Sequence, residues 1–149
     1  MASTDEKVTK DLIETLEDGR VGFAKGAEKL TADGNPAFAQ KFNEYSAQRA
    51  RFAEELRELA RQYGDAIDED GSMLGALHRG WMTIKDAVAG DDPEGVLDAA
   101  EQGEDHAKAE YADALKADIS AHLRTVVERQ AREIQAAHDE VKALRDSVS

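Results

Sequence analysis

The chain lacks cysteine and has only two prolines and 5% aromatic residues among its 149 positions. Without cysteine it cannot form disulfides, thiolate metal sites or a cysteine nucleophile. The scarcity of proline, together with abundant Ala, Glu, Lys, Arg and Leu, favours long helices over strands. No apolar run approaches the roughly 20 residues of a membrane span. The acidic, polar start MASTDEKV has no signal-peptide pattern, so we expect a cytoplasmic protein that does not enter a membrane.

Positive charge is also in short supply. The 19 Lys and Arg residues face 32 Asp and Glu residues, which gives a formal net charge of −13. Nucleic acids and anionic membranes both require a basic face, so neither is expected as a partner. The length suits a single domain over residues 1–149, and its strongly charged exposed faces suggest a monomer or a homodimer.

Turn and capping residues divide the chain into four long helices. Asn35-Pro36 and Asp92-Pro93 each combine a helix N-cap with a proline at the first helical position. The predicted long helices run from a capping box at Ser3–Glu6 to about Leu30, from Asn35-Pro36 to Tyr63-Gly64, from Pro93 to about Lys116, and from about Ser120 almost to the end. A shorter crossover helix is predicted between the second and third of them, from about Ser72 to Ala89.

Each predicted helix carries one apolar stripe at helical spacing, as helices packed around a common core do. Short turns join the first pair and the last pair into two antiparallel hairpins. The long connection between the pairs allows the second and third helices to run parallel. The sequence therefore predicts an all-α, ferritin-like four-helix bundle with a long crossover that carries an additional helix.

Polar residues interrupt these stripes near the middle of the bundle. Arg49 lies between Tyr45 and Phe52, Glu104 lies on the stripe of the third helix, and Gln130 lies on that of the fourth. An unpaired buried charge costs several kcal/mol, so Arg49 and Glu104 are expected to pair. The sequence thus predicts a core polar layer in which Arg49 forms a bidentate pair with Glu104. In this layer Gln130 satisfies the hydrogen-bonding groups that the pair leaves unused.

A metal centre is the alternative interpretation of this layer, because bundles of this topology hold paired iron or manganese ions at the same level. Such a centre uses Glu-x-x-His motifs, and none of the four histidines has an acidic residue three positions before it. Arg49 moreover places a cation where a ligand is needed. An atypical site would use Glu104 and His138, with Glu14 or Glu17 from the first helix. We expect no cofactor, with iron or manganese as the alternative.

The crossover supplies a third interpretation, a small-molecule pocket. His78 and Trp81 lie on or beside its apolar face, and Tyr111 could complete a pocket with them. The sequence offers no nucleophile or second histidine at a usable spacing. A partly buried, hydrogen-bonded His78 beside a core Trp81 therefore accounts better for the pattern.

Five segments of the chain follow a family pattern. In order, they are LIETLEDGRVGF (12–23), QRARFAEEL (48–56), GALHRGWMTIK (75–85), EQGEDHAKAEYADAL (101–115) and ERQAREIQAAHDEVKALRD (128–146). The most specific feature among them is H-R-G-W at residues 78–81. In these segments the chain resembles a bacterial ferritin-like, four-helix-bundle family of unknown function. The resemblance implies a ferritin-like fold and a soluble bacterial protein, and some relatives are loosely connected with stress responses.

Taken together, these observations favour a non-catalytic protein, with no site residue expected to be catalytic. Such a bundle would act by interaction or as a stress-response accessory. A metal-dependent oxidoreductase or an iron-handling protein with an atypical site is the alternative function.

Overall fold

A computed structural model describes residues 4–32, 34–62 and 93–148 of the chain. These residues form four α-helices and no strand. The helices are α1 (Thr4–Ala32), α2 (Pro36–Gln62), α3 (Pro93–Lys116) and α4 (Ala121–Val148). The four predicted long helices are confirmed over these ranges. The predicted crossover helix, the capping residue Ser3 and Gly64 lie outside the described residues. None of the described helices is long and apolar enough to cross a membrane.

The turn between α1 and α2 depends on a glycine. Gly34 has φ of 82°, a left-handed conformation that side-chain-bearing residues rarely adopt. Its N–H donates to the carbonyl of Thr31, and the N–H of Asn35 donates to the carbonyl of Leu30. This pair of bonds is the Schellman arrangement that satisfies the last carbonyls of a helix. It ends α1 and lets α2 begin at Pro36.

The fourth helix begins at a serine cap. Ser120 Oγ accepts a hydrogen bond from the N–H of Leu123, and its carbonyl accepts one from the N–H of Arg124. The N–H of Ser120 itself donates to Asp5 Oδ1 at 2.8 Å. The cap therefore ties the α3–α4 turn to the beginning of α1.

Two hydrophobic clusters, one toward each end of the bundle, fix the directions of the helices. One cluster joins the start of α1, the end of α2, the end of α3 and the start of α4 around buried residues such as Leu12, Leu56 and Tyr111. The other joins the opposite ends around Phe42 and Leu97. Helices α2 and α3 therefore run in the same direction, and α1 and α4 run against them.

Gly26 shows how tightly α1 packs against α2. A Cβ added at Gly26 would lie 2.8 Å from Cδ2 of Phe42, closer than real Cβ atoms come to other side chains. The Phe42 ring is fully buried and makes an edge-to-face contact with Phe23, with ring centroids 5.2 Å apart, so it has little room to move. A Cβ added at Gly19, in contrast, would lie 3.5 Å from Cγ of Arg49, which is an ordinary contact distance.

We expect Gly26→Ala to destabilise the protein by about 1–3 kcal/mol, because it overpacks a core that cannot yield. Gly19→Ala is the matched control in the same helix. It should be neutral, or stabilising by up to about 1 kcal/mol, because alanine favours the helix and meets no clash. Urea unfolding of the two variants measures both effects. Equal effects of the two substitutions would contradict this account of the packing.

Candidate functional site

The central feature of the bundle is a fully buried ion pair between α2 and α3. Arg49 Nη1 lies 2.5 Å from Glu104 Oε1, and Arg49 Nη2 lies 2.8 Å from Glu104 Oε2. Both side chains are only 1% exposed. Two parallel N–H···O bonds of this kind are the strongest geometry available to an arginine and a carboxylate. Each charge is therefore neutralised by the other inside the bundle.

Neighbouring residues surround the Arg49 side chain. Gly19 of α1 lies beside it, where a Cβ would be at an ordinary contact distance of 3.5 Å from Arg49 Cγ. The Phe23 ring lies under the guanidinium, with its centroid 5.3 Å from Cζ, in a cation–π contact. Arg49 Nε donates to Gln48 Oε1 at 3.2 Å. The arginine is thus held by hydrogen bonds, an ion pair and an aromatic face.

Gln130 lies in the core, but its hydrogen bonds go to residues outside the Arg49–Glu104 pair. Its amide oxygen accepts a hydrogen bond from the hydroxyl of Tyr111 at 2.7 Å. Its amide nitrogen donates to Glu55 Oε1 at 2.8 Å and to the carbonyl of Phe52 at 3.3 Å. These bonds use both N–H groups of the amide and one acceptor position of its oxygen, so Gln130 joins α2, α3 and α4 instead of completing the Arg49–Glu104 pair as expected from the sequence.

Burial of this second network affects the tyrosine. The Tyr111 side chain is almost fully buried, and the loss of water raises the pKa of its hydroxyl well above the ordinary value. Glu55 is also paired with Arg129 of α4, so the network reaches the surface through an ion pair. Tyr111 therefore stays protonated and acts here as a hydrogen-bond donor.

The proposed metal ligands do not converge in one place. Glu17 lies between two arginines, 3.0 Å from Arg20 Nη2 and 4.0 Å from Arg57 Nη2. Glu14 is half-buried on α1. Both oxygens of Glu104 are engaged by Arg49. None of these three carboxylates belongs to the group of closely spaced potential ligands that the described residues contain.

That group consists of Glu101 and Asp105 of α3 and His138 of α4. One potential ligand atom from each of them lies within 4.8 Å of the others. His138 Nε2 lies 2.7 Å from Asp105 Oδ1, and His138 Nδ1 lies 3.4 Å from Asp139 Oδ1. Of the predicted metal ligands, His138 alone is in this group, because helix packing turns it toward Asp105 rather than toward Glu104.

Asp18 is a buried carboxyl group whose burial the apolar pattern of α1 did not predict. It is 8% exposed, and within the described residues its Oδ1 accepts no hydrogen bond. Burial raises its pKa to about 7 from an ordinary 3.8. It lies beside the apolar stripe of α1, and the buried face of this helix is wider than that stripe because α1 packs against both α2 and α3. The adjacent buried glycines Gly19 and Gly22 were the only signal that could have indicated its burial.

His78 and Trp81 of the suggested crossover pocket lie outside the described residues. Tyr111 is directed into the core and bonds to Gln130. An open surface groove of about 570 Å³ lies elsewhere, between α2 and α4, and charged residues such as Glu58, Arg61 and Glu133 form most of its lining. Its openness and mixed charge provide no apolar enclosure of the type that usually holds small molecules.

Comparison with known proteins assigns the chain to a family. No curated protein matches the chain. A family model described as Domain of unknown function (DUF2383) matches residues 6–117, which include α2, α3 and most of α1 and end before α4. The match includes both Arg49 and Glu104 and covers well over half of the sequence. The chain therefore belongs to the DUF2383 family of proteins.

Proposed function

We propose that this protein is a non-catalytic, ferritin-like helical bundle that acts through its surface, by interaction or as a stress-response accessory. The observation that carries the proposal is the bidentate, fully buried Arg49–Glu104 pair. In bundles of related topology, the corresponding central level holds paired metal ions bound by carboxylates from facing helices. Here an arginine supplies the positive charge that would otherwise come from metal.

The chemistry of arginine supports this proposal. Its guanidinium keeps its proton at all accessible pH values and offers no lone pair to a metal. Glu104 could ligate a metal only by giving up both hydrogen bonds to Arg49, which would leave a buried cation unpaired at a cost of several kcal/mol. Iron or manganese at this level is therefore disfavoured by the residues that are present. The parallel course of α2 and α3 supports the ferritin-like classification, which remains part of the proposal.

Within the described helices, we assign the function to the exposed surface. The net charge of −13 favours a cationic protein partner and disfavours nucleic acid and anionic membranes. Strong net charge also raises the association rate with an oppositely charged partner, in a manner that salt weakens. We therefore expect interactions of this protein to weaken as ionic strength rises.

Elemental analysis and iron oxidation assays test the non-catalytic assignment. The protein is produced in medium supplemented with iron and manganese, desalted, and analysed for metal. We expect Glu104→Gln to leave the iron and manganese content unchanged, and the wild-type chain to oxidise Fe²⁺ no faster than buffer does. Stoichiometric iron or manganese that survives desalting and disappears in Glu104→Gln would overturn the proposal. So would Fe²⁺ oxidation that requires Glu104.

A further inference from the structure

We propose that Glu101, Asp105 and His138 form a binding site for one divalent transition-metal ion of the zinc class, on the face shared by α3 and α4. Glu101 and Asp105 are four residues apart, so they project from the same face of α3 on successive turns. His138 approaches from α4, and the three potential ligand atoms lie within 4.8 Å of one another. The site lies outside the Arg49–Glu104 pair and does not depend on it.

The imidazole of His138 is the most fixed part of the site. Its side chain is only 10% exposed, and its Nε2 is directed at Asp105 Oδ1 at 2.7 Å. On the other side of the ring, Nδ1 faces Asp139 Oδ1 at 3.4 Å. Metal-binding histidines commonly have a carboxylate behind the nitrogen that does not bind the metal, and that carboxylate fixes the tautomer and the ring orientation. Here the Asp139 carboxylate would hold Nδ1, so Nε2 would be the ligand atom.

Glu101 contributes a buried oxygen that is paired with Arg145. Its side chain is 15% exposed, and Arg145 Nη1 lies 2.5 Å from Oε2. Arg145 also lies near Asp98 and Asp146, at 3.8 and 3.4 Å, so it keeps acidic partners when Glu101 turns toward a metal.

The donor set selects the class of metal. One imidazole nitrogen and two carboxylate oxygens suit Zn²⁺ and its neighbours such as Co²⁺, with water completing the coordination. Ca²⁺ and Mg²⁺ prefer sites made entirely of oxygen atoms. Asp105 is 62% exposed and can rotate to shorten its distance to the ion, whereas His138 stays in place. The bound ion would crosslink α3 and α4.

Calorimetric titration of the metal-stripped, tag-free 149-residue chain with ZnCl₂ tests the site. We expect one Zn²⁺ per chain and a loss of affinity of about tenfold or more in His138→Gln and in Asp105→Asn. His122→Gln, an exposed histidine near the start of α4, is the matched control and should bind as the wild type does. Because Asp105 is exposed, Asp105→Asn tests the site even if His138→Gln fails to fold.

Co²⁺ absorption provides a second measurement. We expect visible d–d bands that appear with one equivalent of Co²⁺ and are lost in Asp105→Asn. Unchanged Zn²⁺ affinity in both Asp105→Asn and His138→Gln would overturn the site, as would the absence of saturable Zn²⁺ binding to the wild-type chain. Zn²⁺ binding that is lost in Asp105→Asn and unchanged in Glu104→Gln supports this site and leaves the non-catalytic proposal intact.

Discussion

Removing Glu104 alone should destabilise the protein more than removing the whole ion pair. Glu104→Ala leaves the guanidinium of Arg49 buried without a counter-charge, and breaking one side of such a pair typically costs about 3–5 kcal/mol. The double variant Arg49→Met with Glu104→Ala buries no charge. Its loss of stability should therefore be smaller by about 1–2 kcal/mol or more, even though the shortened side chain leaves a cavity. Urea unfolding of the wild type and both variants gives these free energies.

A surface ion pair provides the control for this comparison. Glu58 and Arg61 are 2.7 Å apart, but both are more than half exposed. Glu58→Ala should cost less than about 1 kcal/mol, because water screens and solvates the remaining arginine. If the double variant in the core lost as much stability as Glu104→Ala alone, the strain of an uncompensated charge would not be the cause. The burial of Arg49 without its counter-charge would then make no measurable contribution to the loss of stability.

Asp18 should make the protein less stable as the pH rises from about 4 to above 7. Its pKa is about 7 in the folded chain and near the ordinary 3.8 in the unfolded chain, so in this range the folded state holds a proton that the unfolded state has released. Unfolding then releases a proton, and higher pH therefore favours unfolding. One pKa unit corresponds to about 1.4 kcal/mol, so the upper limit of the effect is about 4 kcal/mol.

The variant Asp18→Asn isolates this effect, because asparagine is neutral at every pH and has nearly the same shape. At pH 4 the variant and the wild type should have similar stability. At pH 8 the variant should be more stable by about 2–4 kcal/mol. Asp113→Asn changes an exposed aspartate and should leave the pH dependence as it is in the wild type. A stability difference between Asp18→Asn and wild type that stays constant from pH 4 to pH 8 would contradict the assigned pKa.

The helices were predictable because local signals agree with the packing. Helical periodicity, proline at the first helical position and the glycine at position 34 each specify a local conformation without reference to distant residues. The position of Arg49 inside an apolar stripe also required a buried counter-charge, and the stripe of α3 offered Glu104. Charge neutrality in a core is a strong constraint, so this pair could be predicted from one sequence.

The partners of Gln130 and His138 could not be predicted in the same way. Both side chains lie on or beside the stripe of α4, where rotation of the helix by a few tens of degrees changes which neighbour they meet. The tertiary packing directs Gln130 to Tyr111 and Glu55, and His138 to Asp105. A polar residue can be satisfied by many donors or acceptors, so its sequence position alone does not select one.

The sequence by itself determined four amphipathic helices, their approximate ends and the pairing of the one arginine that falls within an apolar stripe, because these follow from backbone propensity and from the cost of a lone buried charge. Only the tertiary structure decided how the helices rotate against one another. That rotation buries the carboxyl of Asp18 and brings Glu101, Asp105 and His138 together from two helices. Contacts of this kind depend on distances of a few ångströms between separate helices, which no periodicity along one chain segment encodes.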